Sequence, residues 1–181
     1  YLKIVIIDCP NKKKFIDHPH YINGGFTYLH KNVIYVYRND EMCKVILHEV
    51  IHHAFYFKEY AVYFGDPIRY KVNINLNEAI VEFLATLYQI KYTNSNIKNE
   101  LKHSLKNVKY VVGMSNTIFN TNIYSYIVIK HLLLKKYNLI LYYIQNKLYD
   151  KIYQYVYTTK INIKPIKPIK QNLIFVSVSY L

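Results

Sequence analysis

The chain contains no tryptophan, only four glycines and five prolines, and only two cysteines among its 181 residues. Cys9 and Cys43 have no metal-binding or redox spacing, and at most one disulfide can form. A disulfide-stapled secreted domain is therefore not expected, and this cysteine usage favours an intracellular, cytoplasmic protein. Because the first residue is Tyr1 rather than methionine, we expect the sequence to be a fragment or a processed form.

Long apolar runs are also missing, since no stretch of about 18 apolar residues occurs, the length needed to cross a bilayer. The nearest approach, Tyr124 to Ile144, is interrupted by four basic side chains. These are Lys130, His131, Lys135 and Lys136. The sequence therefore predicts no membrane span.

Acidic residues are scarce, with 11 Asp and Glu against 24 Lys and Arg, which gives a formal net charge of +13. Such an excess can attract nucleic acid, anionic membrane or acidic substrates. Arginine occurs only at Arg38 and Arg69, however, and lysine supplies charge without bidentate recognition of bases. The abundance of Lys, Asn, Ile and Tyr is typical of AT-rich coding sequence. The composition predicts no specific nucleic-acid partner and leaves the oligomeric state open.

The apolar fraction of 52% and the length of 181 residues predict one globular domain spanning residues 1–181. Alternating and β-branched runs predict strands at Leu2–Ile7, Phe26–Leu29 and Val33–Tyr37, the last two forming a hairpin. We also expect a proline-containing connector at 159–171 and a final strand at Asn172–Tyr180 that returns to the sheet.

Helical periodicity governs most of the chain between these strands. Five helices are predicted, at Asp40–Phe57, Glu78–Lys91, Ile97–Lys109, Thr121–Lys136 and Leu139–Tyr157. The first is apolar enough for burial on much of its circumference, and Asn75 or Asn77 is expected to cap the second. The order of elements predicts an α+β fold, with a small N-terminal antiparallel or mixed sheet followed by a helical half.

The stretch His48-Glu49-Val50-Ile51-His52 lies inside the first predicted helix and reads H-E-x-x-H. Residues four apart share a helix face, so both imidazoles can bind one ion, and the glutamate can polarise a metal-bound water. Composition alone gives a chance match in such a chain odds of roughly one in a hundred. The motif therefore predicts a catalytic zinc site.

Catalytic zinc takes a third protein ligand and leaves its fourth position to water. Glu78 and Glu82 lie four apart on one face of a largely apolar helix, where two acids need a cation partner. Asp66, in the loop between the two helices, is the third candidate. We favour Glu78 as the ligand and expect the other glutamate to hydrogen-bond a ligand imidazole.

Together, His48-Glu49-x-x-His52 and Asn77-Glu78-Ala79-Ile80-x-Glu82 resemble the gluzincin metallopeptidases, the thermolysin-like class, over about Val33 to Lys91. In that class the second helix carries Asn-Glu, with an acid or a small polar residue four positions after the Glu. The resemblance implies a zincin-like fold and one zinc ion per chain. The roles it implies are zinc ligation by His48, His52 and Glu78, general base catalysis by Glu49, and support of a ligand histidine by Glu82.

The metzincin class does not fit, because it needs Gly and His where this chain has Phe55 and Lys58. The order of a strand and three helices in a chain rich in Ile, Lys, Asn and Tyr also resembles small metalloprotease-like proteins of large DNA viruses.

A zinc peptidase of this kind needs a further donor to stabilise the oxyanion of the transition state. In gluzincins this donor is a Tyr or His beyond the second helix. Tyr126 is the favoured candidate for this catalytic role, ahead of Tyr124, Tyr110 and His131. The strand at Val33–Tyr37 is expected to bind an extended peptide by β-addition.

Two other functions compete with a zinc metallopeptidase acting on a peptide or protein substrate. The first is a catalytically inactive zincin-fold protein, in which a structural zinc serves a binding or interaction module. The retention of Glu49 argues against it, because a structural site has no use for this carboxylate and is normally closed by a fourth ligand. The second is a nucleic-acid-binding protein, but the chain has no helix-turn-helix, zinc knuckle or arginine-rich stretch.

Overall fold

The computed structural model describes residues 1–7, 24–28, 31–37, 42–54, 76–112 and 125–159, with the side chains of all but 110, 112, 125 and 126. These residues form an α+β fold, in which a small sheet comes first and a larger helical part follows. The predicted fold class and the order of its elements are confirmed for these residues. The final strand at Asn172–Tyr180 and all but the first residue of the connector at 159–171 lie outside them.

The sheet contains three strands, β1 (Lys3–Ile6), β2 (Gly25–Tyr28) and β3 (Val33–Val36). Their order is β1-β3-β2, with β1 parallel to β3 and β2 antiparallel to it, so the sheet is mixed and the predicted hairpin is present. Because β3 is hydrogen-bonded on both sides, it has no edge to offer a peptide. The expectation that Val33–Tyr37 binds substrate by β-addition is therefore wrong.

The helical part contains six α-helices among the described residues, none of them long and apolar enough to cross a membrane. They are α1 (Met42–Ala54), α2 (Leu76–Tyr92), α3 (Ile97–Val112), α4 (Lys130–Lys135), α5 (Tyr137–Gln145) and α6 (Tyr149–Thr158). A π-helical turn at Ser125–Ile129 runs directly into α4. Since α2 begins at Leu76, Asn77 lies inside the helix and does not cap it, and Asn75 lies outside the described residues.

The single helix predicted at Leu139–Tyr157 is wrong, because the chain turns between α5 and α6. Lys147 adopts a left-handed conformation with φ of 57°. Its N–H donates to the carbonyl of Ile144 (3.1 Å), and the N–H of Leu148 donates to the carbonyl of Tyr143 (2.8 Å). These two bonds form a Schellman motif, which ends a helix by satisfying its last carbonyls.

Helix α2 lies at the centre of the helical part, where it packs against α1, the π-helical turn and α4. Its buried residues lie on nearly all sides, as its apolar sequence predicts. Helix α1 differs from expectation, since its apolar residues Val45, Ile46 and Val50 are only half-buried. The buried residues of α1 are instead Lys44, His48, Glu49 and Ile51. A mostly polar face of α1 is therefore enclosed by the fold.

Strands β2 and β3 lie against the other side of α1, and Gly25 permits this close packing. A Cβ atom at Gly25 would lie 2.6 Å from the carbonyl oxygen of Tyr35 and 2.7 Å from Cγ1 of Val45. Thr27 strengthens the contact, because its hydroxyl donates to the carbonyl of Val33 and accepts a hydrogen bond from Nε2 of His53 at 2.5 Å. The sheet thus fixes the helix that carries the H-E-x-x-H motif.

Candidate metal centre

Five polar side chains interdigitate between α1 and α2. Lys44, His48 and His52 are four residues apart and share one face of α1, while Glu78 and Glu82 share one face of α2. The Glu82 carboxylate contacts Nζ of Lys44 and accepts a hydrogen bond from Nδ1 of His48 at 3.1 Å. Oε2 of Glu78 lies 3.4 Å from Nε2 of His48 and 3.5 Å from Nε2 of His52. The two helices are thus joined by a ladder of alternating basic and acidic groups, which we call the α1–α2 ladder.

Three donor atoms of this ladder form a small triangle that can hold a metal ion. Nε2 of His48 and Nε2 of His52 are 3.1 Å apart, and Oε2 of Glu78 lies 3.4 and 3.5 Å from them. Tetrahedral zinc, with bonds of about 2.0–2.1 Å to such ligands, requires donors separated by roughly 3.3 Å. The three donors therefore fit zinc in both chemistry and spacing, and no fourth donor joins them within the described part of the chain.

The electrostatics of the triangle also favour a cation. Burial lowers the pKa of His48, but hydrogen bonds to Glu78 and Glu82 outweigh it and raise this pKa to about 9. Burial likewise favours the neutral form of Glu78, yet His48 and His52 hold its pKa well below the usual range. Two imidazole nitrogens at 3.1 Å repel each other unless a proton or a metal lies between them. The raised pKa of His48 favours a proton at this position when no metal is bound.

Glu49 follows His48 in α1 and is buried. Burial raises the pKa of Glu49 above its ordinary value, although the charges of His48 and His52 act in the opposite direction. A carboxylate whose pKa is moved towards neutrality is a better proton acceptor and donor at physiological pH. The position and the electrostatics of Glu49 therefore suit a general base.

Of the other residues predicted to belong to the site and described by the structure, only Glu82 lies at the donor triangle. Glu82 makes the contact to Nδ1 of His48 that support of a ligand histidine requires. Tyr126 lies in the π-helical turn, but its side chain is outside the described part of the structure, as are Asp66, Tyr124 and the side chain of Tyr110. The assignment of an oxyanion donor therefore stays a prediction.

His131, another candidate for that donor, has a different partner. Its Nδ1 lies 2.6 Å from Oγ of Ser104, and both side chains are buried. Burial, together with the charges of Lys135 and Lys130, lowers the pKa of His131 to about 4. The imidazole is thus neutral at physiological pH and packs as a polar residue of the core between α3 and α4.

The sequence reasoning missed Lys44, Lys130 and Glu100, all of which are buried near one another. Lys44 carried a usable signal, because it precedes His48 by four residues and must share its helix face. Lys130 and Glu100 carried none, since only the packing of α3 and α4 brings them to the site.

No protein-family model, curated protein or solved structure matches the chain. The resemblance to gluzincins therefore has two short motifs as its basis, and function is inferred from the geometry of the site.

Proposed function

We propose that this protein is a zinc-dependent peptidase with a zincin-like, gluzincin-type site, which hydrolyses a peptide bond with metal-activated water. The main support is the triangle of His48, His52 and Glu78 donor atoms, whose edges of 3.1 to 3.5 Å match tetrahedral zinc. Two of the three donors, His48 and His52, lie on the helix that carries the buried Glu49, so a proton acceptor would adjoin the ion.

Each residue of the site has a separate task in the proposed reaction. Bound zinc supplies a Lewis acid that lowers the pKa of a water molecule and polarises the substrate carbonyl. His48 and His52 hold the ion as neutral imidazoles, and Glu78 holds it as a carboxylate. Glu49 takes a proton from the water and delivers it to the leaving amine. Tyr126 is the proposed donor to the oxyanion.

Glu82 orients His48 in this scheme. Because Nδ1 of His48 donates its proton to Glu82, Nε2 of the same ring is left with its lone pair facing Nε2 of His52 and Oε2 of Glu78. Such support fixes both the tautomer and the direction of a ligand histidine and makes the ring a stronger donor.

An extended peptide is the proposed substrate, and β2 is the strand best placed to receive it. Among the described residues, β2 pairs with β3 alone, so its other side is an edge at which a peptide can add by main-chain hydrogen bonds. The hydrogen bond between Thr27 of β2 and His53 ties this strand to α1 one residue beyond His52. A peptide along β2 would therefore lie beside the end of α1 that carries His52 and His53.

The competing function is an inactive protein in which zinc only joins α1 to α2. Two features favour catalysis over this alternative. Among the described residues, three donors converge on the site, rather than the four usual for structural zinc. Glu49 is also buried beside the ligands. Burial of a carboxylate lowers stability, and a catalytic role explains its presence there better than a structural role does.

Replacing Glu49 with Gln separates the two functions. The wild-type protein should bind one zinc ion per chain and cleave an unstructured protein such as casein. Glu49→Gln should bind the same amount of zinc and lose at least about 100-fold in turnover, since a positioned base contributes 10²–10⁴-fold. Asp150→Asn, an exposed change on α6 with the same loss of charge, is the matched control and should remain active.

The possible outcomes of this experiment distinguish a catalytic zinc site, a structural zinc site and a site that binds no zinc. Turnover retained by Glu49→Gln would remove the assignment of the base. Zinc bound by a wild type that cleaves no peptide in a broad library would favour the structural role. Absence of zinc after reconstitution of the wild type would refute the metal centre itself.

A further inference from the structure

The Glu82 carboxylate has a second cation partner that belongs to neither motif helix. Its Oε1 lies 3.6 Å from Nζ of Lys130 in α4, in addition to its contact with Lys44. The same Nζ of Lys130 lies 3.7 Å from Oε1 of Glu100 in α3. These four residues, Lys44, Glu82, Lys130 and Glu100, connect four helices, and we call them the compensating network.

All four members of the compensating network are buried, with exposed fractions of 7% for Lys44, 8% for Glu82 and Lys130, and 1% for Glu100. An uncompensated charge at such depth is strongly destabilising. The network contains two lysines and two glutamates, so its formal charge is zero. Glu82 can therefore remain a carboxylate on Nδ1 of His48 without drawing its counter-charge from the metal ion.

We propose that Lys130 and Glu100 are positioning residues of the metal centre, which act on His48 through Glu82. Glu100 holds the ammonium group of Lys130, and Lys130 together with Lys44 holds Oε1 of Glu82. The remaining oxygen of Glu82 is then directed at His48. This proposal rests on the proposed zinc site and extends it from two helices to four.

The sign of the effect follows from the charge balance. Glu100→Gln keeps the shape of the side chain but leaves the network with a formal charge of +1. This excess opposes a divalent cation at His48 and weakens the hold of Lys130 on its position. Removing the positive charge as well, in Glu100→Gln with Lys130→Met, returns the network to neutrality with Lys44 and Glu82 still paired.

Zinc affinity, measured by competition with a chromogenic chelator, tests the proposal without any assay of activity. We expect Glu100→Gln to bind zinc about tenfold more weakly, the low end of the loss found when a supporting residue is removed. The double variant should recover to within about threefold of wild type, which would reveal the coupling between the two residues. The visible spectrum of bound Co²⁺ should shift in the single variant and return in the double one.

Asp150→Asn again serves as the control, because it removes the same charge from an exposed position and should leave zinc affinity unchanged. Wild-type affinity and Co²⁺ spectrum in Glu100→Gln, or a loss that the double variant does not recover, would overturn the proposal. If Glu100→Gln does not fold, the double variant decides, because it must fold and bind zinc for the proposal to stand. A wild type that binds no zinc would instead count against the proposed function.

Discussion

The polar face of α2 has two halves that differ in their partners. Glu78 and Glu82 form the first half, and Thr86 and Gln89 continue the same helix face at spacings of four and three residues. The carboxylates face His48, His52, Lys44 and Lys130. In contrast, Oγ1 of Thr86 and both amide atoms of Gln89 have no hydrogen-bond partner within the described part of the chain, although these residues are 0% and 2% exposed.

The difference between the two halves shows how a candidate binding site can be distinguished from buried polar groups that only lower the stability of the fold. A buried hydroxyl or amide without a partner destabilises a protein by about 1–3 kcal/mol, and its presence alone indicates no ligand. The first half differs because groups of opposite charge from two other helices converge on it. Convergence of charge, rather than burial of polar groups, marks the end of α2 that carries the candidate metal site.

The largest expected effect is that of removing the charge at the centre of the first half. Glu82→Leu leaves Lys44 and Lys130 buried without their shared carboxylate, which should lower the free energy of unfolding of the metal-free protein by about 3–5 kcal/mol. Chemical denaturation followed by circular dichroism measures this change. A loss below about 1 kcal/mol would show that the Glu82 carboxylate does not compensate the charges of the two lysines.

Zinc should stabilise the protein only through the half of the α2 face that contains Glu78 and Glu82. At a free zinc concentration 100-fold above the dissociation constant, the wild type should gain about 2.7 kcal/mol in the free energy of unfolding. Glu78→Gln loses one of three ligands and should gain almost nothing at that concentration. Thermal unfolding with zinc and with a chelator provides the measurement. Equal stabilisation of both proteins would place the ion elsewhere.

The pH dependence of zinc binding gives a further test of the first half. Since the pKa of His48 is raised from 6.5 to about 9, its proton stabilises the metal-free fold below pH 6.5, and this stabilisation is lost as the pH rises through about 9. Zinc must displace that proton, so its affinity should rise about tenfold per pH unit from about pH 7 to 9 and then level off. Calorimetry in two buffers with different ionisation enthalpies should detect release of about one proton near neutral pH. A flat profile over this range would contradict the protonated pair.

The smallest effect is expected in the second half, and its sign is opposite. Thr86→Val and Gln89→Leu remove polar atoms that have no partner among the described residues, so each should raise the stability by about 1 kcal/mol without changing zinc affinity. Denaturation midpoints of the two variants, compared with wild type, measure the gain. Destabilisation by either change would show that these groups have partners that the described residues do not include.

The sequence predicted the parts of the site that local periodicity encodes. His48, Glu49 and His52 could be recognised because the spacing of four residues alone places both imidazoles on one helix face. Glu78 and Glu82 were recognised for the same reason, and their apolar surroundings required a cation. The α+β class followed from the change of period along the chain.

Tertiary contacts, and backbone turns that contain no glycine, could not be predicted from the sequence. Lys130 and Glu100 lie on other helices, and only helix packing brings them to Glu82. The central place of β3 was missed because a parallel partner from the N-terminus leaves no local signal. The end of α5 was missed because Lys147 occupies the left-handed position where glycine is usual, and the apolar periodicity continues across it.

The α1–α2 ladder also couples the proposed metal site to the register of the two helices. A slide of α2 along α1 by four residues, about 6 Å, would place Glu78 beside Lys44 and leave His52 without a carboxylate. A slide of four residues in the opposite direction would place Glu82 between the two histidines, but Thr86 would then face Lys44 and leave it without a carboxylate. The native register alone gives His48 a carboxylate on each side and Lys44 a counter-charge, so the proposed metal site and the charge pairing of the two helices are completed together.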